Sequence, residues 1–117
     1  DLIERGYMQN AVEQGAFIMD ALEEMRAHHP TMQHARIAGK GLMVGLELVL
    51  DENRTPAKEV RNAVEDRAIQ NGLLLLGAGE NTLRFIPPLM IERDLVEEGL
   101  HRFDKSLTEA EQDAGLL

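Results

Sequence analysis

Residues 41–50, Gly-Leu-Met-Val-Gly-Leu-Glu-Leu-Val-Leu, are apolar at nearly every position, with Glu47 as the interruption. A run of this length and character reads as the central strand of a sheet, buried on much of both faces. It is well short of the roughly 20 apolar residues a membrane helix needs, and no other run comes closer. The layers that cover such a strand have to come from the flanking segments.

Those segments carry helical periods. Over residues 2–28, Ile3, Tyr7, Ala11, Ile18, Leu22 and Met25 follow the spacing of one helix face. A second stripe, Met8, Val12, Ala16 and Met19, widens it, so more than one neighbour is expected to pack there. At 1.5 Å per residue the helix would span about 40 Å, more than one small domain needs, which suggests a bridging role. Gly15 within it costs about 1 kcal/mol relative to alanine and points to a bend or a close approach. Pro30 stops the helix, and His28 and His29 suit the negative end of its dipole.

Downstream, Thr55 is a candidate N-cap with Pro56 at the first helical position. Ala57, Val60, Val64 and Ala68 carry that helix to about Gln70, with Asn71 and Gly72 as a left-handed cap. Residues 73–76 and 82–86 read as short antiparallel strands joined by the loop 77–81, and Pro87 and Pro88 end the second strand. Val96, Leu100, Phe103 and Leu107 form the face of a third helix over residues 93–107, with 108–117 a polar tail. The expected fold is α+β: a long N-terminal helix, here residues 1–29, and a small, mainly antiparallel sheet covered by helices.

The chain has 117 residues, enough for one domain. Its formal net charge of -9 disfavours nucleic acid and anionic membranes as partners. With no cysteine, disulfides and thiolate metal sites are excluded. A charged N-terminal stretch unlike a signal peptide leaves the cytoplasm as the expected compartment. Because the chain starts at Asp1, a fragment of something longer is expected.

Most candidate chemistry has a plain structural reading. The glycines at 39, 41 and 45 precede a strand instead of opening a helix, unlike a dinucleotide fingerprint. His28, His29 and His34 lack carboxylates at ligand spacing and read as solvated, so no metal is expected. Asp51, Glu52 and Asn53 make a turn, not a calcium loop. The pairs Glu23–Glu24 and Glu97–Glu98 fall opposite the apolar stripes, on solvated faces. Lys58 and Lys105 look solvated and Lys40 sits between two glycines, so no lysine is placed to hold a cofactor.

Arg84 differs, because it interrupts the apolar strand Thr82-Leu-Arg-Phe-Ile86 just before two prolines. It is an exposed edge residue, the ion-pair partner of a local acid, or a rigidly held fork for an anion. A guanidinium presents two parallel donors that match a carboxylate.

The ordered set His29-Pro30, residues 39–48 (GKGLMVGLEL), residues 71–74 (NGLL), Gly79 to Asn81, and residues 83–89 (LRFIPPL) resembles the closing segment of class III aminotransferases. The resemblance covers residues 2–107. It implies the C-terminal small domain of a fold-type I pyridoxal-phosphate enzyme, one that moves an amino group between an amino acid and a 2-oxo acid. An ω-amino acid or ornithine-like donor is expected. It also implies that Arg84 contacts a substrate carboxylate, and that no residue here is catalytic. The Schiff-base lysine and the other cofactor-binding residues would lie in an absent large domain, leaving the chain inactive alone. A homodimer is implied. Family members usually carry Arg-Gly where this chain has Ala38-Gly39. Two alternatives stay open: a non-catalytic interaction module with the same fold, and a related pyridoxal reaction such as an aminomutase or decarboxylase.

Overall fold

The apolar run does form a strand, but a shorter one, and only one of its faces is covered. The computed structural model describes residues 2–41, 43–70, 75–87 and 91–117. It contains α1 (Leu2–Met25), β1 (Arg36–Lys40), β2 (Met43–Glu47), α2 (Lys58–Gln70), β3 (Leu75–Ala78), β4 (Thr82–Phe85) and α3 (Arg93–Asp113). Short 3-10 turns at Arg26–His28 and Pro30–Met32 connect α1 to β1. The strands form one antiparallel sheet in the order β1-β2-β4-β3, which is the α+β architecture expected.

Successive side chains on a strand point to opposite faces. In β2, Val44 and Leu46 are buried together with their β4 partners Phe85 and Leu83. Phe85 meets Phe103 of α3 edge to face, with ring centroids 5.0 Å apart. Ile18 and Leu22 of α1, Val60 and Val64 of α2, and Val96, Leu100 and Leu107 of α3 complete this core. On the other face Met43 is 57% exposed. Burial on both faces of the strand is therefore not observed among the described residues: the helices pack against one face.

Strand β1 was not anticipated. Ile37 packs against the core and Ala38 is exposed, so the stretch carries too little apolar alternation to stand out. That is the usual look of a polar edge strand. Helix α2 also begins later than expected. The Thr55 hydroxyl donates to the Asp51 carboxylate at 2.8 Å instead of capping a helix, and Pro56 bridges to Val49. Asp51 also accepts from the backbone amides of Asn53 and Thr55, and these bonds, led by the Thr55 hydroxyl, hold its carboxyl below the usual range. Residues 51–55 are thus a turn built on Asp51, as expected. The anticipated cap at Asn71 and Gly72, the start of a strand at Leu73, and Pro88 lie outside the described residues.

Helix α3 runs on to Asp113, past the expected end at Leu107, so residues 108–113 are not a tail. The sequence hid this because Glu111, a charge in an apolar position, is fully buried. So is His29, which corrects its reading as a solvated histidine. His29 Nδ1 lies 2.5 Å from Glu111 Oε1, and its Nε2 lies 2.5 Å from Asp104 Oδ1. The second oxygen of Glu111 accepts from the backbone amide and hydroxyl of Thr31, at 2.9 and 2.7 Å.

Both ring nitrogens thus face carboxylate oxygens, an arrangement that favours the doubly protonated, charged ring. Burial opposes that charge, but the hydrogen bonds and charges of Glu111 and Asp104 outweigh it and raise the pKa above the ordinary value. The cluster ties the α1–β1 connection to the last turns of α3. A raised pKa in the folded state means the stabilisation is complete below the unfolded histidine's pKa, near 6.5. It is lost as pH rises through the folded-state value. Denaturant unfolding of the wild type is therefore expected to show stability falling on the alkaline side. His29→Leu should remove that slope and, by stranding the Glu111 carboxylate, cost about 3 kcal/mol.

Candidate functional site

The uncovered face of the sheet carries the residue singled out by sequence. Arg84 sits in β4, an interior strand, between its register partners Gly45 of β2 and Leu76 of β3. It is exposed, because alternation places it opposite the buried Leu83 and Phe85. It is thus neither an edge residue nor ion-paired: among the described residues it has no hydrogen-bonding or ionic partner. An exposed guanidinium of this kind is free to bind an anion from outside. Neighbouring rows on the same face hold Met43 and, across β1, β2 and β4, Arg36, Glu47 and Thr82.

Three residues that sequence reasoning passed over fix the strand that presents Arg84. Asn81, buried at the start of β4, donates its side-chain amide to the Leu48 carbonyl at 2.7 Å, while its own carbonyl accepts from the Leu48 amide. Arg61 of α2 donates to the Gly79 carbonyl at 2.6 Å and to the Glu80 carbonyl at 3.2 Å. It also pairs with Glu65 at 2.9 Å. Gly77, expected in the connecting loop, instead lies within β3 opposite Leu83. A Cβ there would collide with the side chains of Glu65 and Arg61. Its lack of a side chain lets the Arg61–Glu65 pair lie against the hairpin and grip the turn. Only Gly79 in that turn has the left-handed φ that glycine tolerates, at +58°. A glycine in an otherwise apolar strand was the signal that could have marked the close approach at 77.

The other candidates fall where solvent reaches them. Lys58 is exposed and pairs with Glu80 at 3.1 Å, and Lys105 is exposed. Lys40 ends β1. His28 and His34 are exposed, as are Glu23, Glu24, Glu97 and Glu98. The hydrogen bond from Arg26 lowers the Glu23 pKa, which is a surface effect. Among the described residues no histidine–carboxylate group is arranged to hold a metal ion, and no helix is long and apolar enough to cross a membrane. Of the second apolar stripe of α1, Met8 and Val12 are exposed, at 69% and 64%, and Ala16 is exposed as well, whereas Met19 packs against the core.

Gly77→Ala is expected to loosen the hairpin at a cost of about 1–3 kcal/mol, because the new methyl must displace the Arg61–Glu65 pair. Chemical denaturation would show it as a lower midpoint with an unchanged slope.

Comparison with known proteins bears on the family and the fold. Residues 1–107 match the family described as Aminotransferase class-III. The mitochondrial acetylornithine aminotransferase of Saccharomyces cerevisiae is 33% identical over 106 residues, covering 91% of this chain and 23% of that protein. An alanine/serine racemase of Pyrococcus horikoshii is 34% identical over 106 residues, covering 89% of this chain and 22% of the racemase. The chain thus spans about a quarter of the length of the curated relatives it matches. Among solved structures, the omega transaminase from Pseudomonas jessenii in complex with PMP superposes with a TM-score of 0.83 at 24% identity, covering 98% of this chain and 25% of that one. The last likeness is one of fold.

Proposed function

The chain belongs to the class III aminotransferase family, and from that premise we propose that it is the C-terminal small domain of a pyridoxal-phosphate-dependent aminotransferase. In this reading the enzyme moves an amino group between an amino acid, of the ω-amino or ornithine-like kind, and a 2-oxo acid. The observation that carries the proposal is Arg84, a guanidinium without a partner among the described residues, held in an interior strand on the open face of the sheet. Its two parallel donors orient a substrate by its carboxylate while taking no part in proton transfer.

Pyridoxal phosphate, when bound, supplies the group that carries the amine from donor to acceptor. The described residues of this chain do not make a site for it. Lys58 is solvated and ion-paired, and Lys105 is solvated, so neither is held neutral as a Schiff-base lysine must be. Anchoring of the cofactor therefore falls to a large domain, against which the exposed Met8 and Val12 of α1 would pack. The length of the relatives supports such a domain, and family membership supports a homodimer. The likeness to an alanine/serine racemase favours one second reading, amino-acid racemisation, in which Arg84 has the same task and no 2-oxo acid is consumed.

The test is made on the full protein that contains this chain. Loss of a charge-assisted pair, about 1.5–3 kcal/mol, predicts that Arg84→Ala lowers kcat/KM for amino acids by roughly 10- to 100-fold. An amine donor lacking the carboxylate should change by no more than about threefold. An unchanged preference for the carboxylate would remove Arg84 from the site. Absence of any amino transfer, with the cofactor unbound, would favour a non-catalytic interaction module.

A further inference from the structure

Gly45 has no reason within its own described surroundings to be a glycine. Its φ is not in the left-handed range, unlike those of Gly41 and Gly79. A Cβ built on it meets only the Ala38 carbonyl oxygen, at 3.8 Å, an ordinary contact. The other sheet glycines differ. At Gly39 a Cβ would lie 2.9 Å from Met19 Sδ and 3.2 Å from the Met43 carbonyl oxygen, and at Gly77 it would strike Arg61 and Glu65. Glycine inside a strand weakens it, through added freedom of the unfolded backbone and the lack of a side chain to pack. Where the described residues leave the space open, the remaining reason for a glycine is close approach by something from outside.

What lies beside that space is Arg84, the register partner of Gly45 on the uncovered face. Partner residues on antiparallel strands have Cα atoms about 4.5–5.5 Å apart and side chains that stand side by side. A branched side chain at 45 would fill the volume next to the base of the Arg84 side chain. Ala38 continues the same row on β1, so the cleared strip extends away from the guanidinium across two strands.

We propose that Gly45 is a specificity-determining residue, which keeps clear the space beside Arg84 where the carbon chain of a carboxylate substrate lies. This rests on the reading of Arg84 as the carboxylate anchor. The substrate class it selects is an amino or oxo acid whose chain passes over the sheet, in contact with backbone at Gly45.

The experiment uses the full protein with Gly45→Ala, Gly45→Val, Arg84→Ala and the double variant Gly45→Val/Arg84→Ala, assayed for amino transfer and for thermal midpoint. Gly45→Val is expected to lower kcat/KM for amino-acid donors by about tenfold, mainly through KM, with Gly45→Ala intermediate. The midpoint should stay level or rise, since valine suits a strand. In the Arg84→Ala background the valine should add less than about twofold, because the two positions act on one bound group. Full additivity, an unchanged KM, or a lowered midpoint in both Gly45 variants would overturn the proposal, the last by showing that the position is filled by packing. If Arg84→Ala itself leaves the carboxylate preference intact, the anchor reading fails first and the role of Gly45 with it.

Discussion

A strand offers its two faces at a period of two residues, and among the described residues of this chain the helices cover only one of them. Almost every feature of the molecule follows from that constraint. Val44, Leu46, Leu83 and Phe85 all fall on the covered side and make the core with α1, α2 and α3. Met43, Gly45 and Arg84 fall on the other side because they alternate with the core residues. A charged side chain can stand in the middle of an apolar strand without desolvation for this reason. The same alternation gives Arg84 a fixed direction, since turning it inward would turn Leu83 and Phe85 outward.

Rigidity at that open face comes from polar groups on or behind the sheet. Asn81 locks the start of β4 to Leu48, and Arg61 holds the turn carbonyls of Gly79 and Glu80. These bonds restrain the hairpin from α2 and from the end of β2, so the guanidinium is carried on a braced strand instead of a loop. His29 acts further away. Its bonds to Asp104 and Glu111 close the α1–β1 connection onto the last turns of α3. Arg26 reinforces the same connection through the carbonyls of Met32 and Ala35. Arg93 joins the other end of α3 to α1, donating to Gln14 and lying over the Phe17 ring at 3.9 Å.

The open face and the exposed end of α1 also bear on how the family arrangement would be completed. Met8 and Val12 present apolar area that the described core does not reach, and the chain measures 50 Å along its longest axis. A second body packed there would bury that stripe.

By itself the sequence determined the elements whose evidence is local. Apolar periods marked all three helices, the alternating and continuous apolar runs marked β2, β3 and β4, and the charge at 84 stood out against its strand. What it could not determine were matters of partnership. β1 is a strand only because β2 offers it a ladder of hydrogen bonds, and its own polar residues would suit a loop equally well. Glu111 and His29 looked solvated because burying either alone is costly; it was their meeting across 82 positions of chain that made burial possible. Gly77 could be assigned to β3, and Gly45 seen to be open, only once Arg61, Glu65 and Arg84 had been brought beside them. Periodicity is a property of one segment, whereas the choice of which face is covered, and which charges are paired, is made by segments that the chain brings together only on folding.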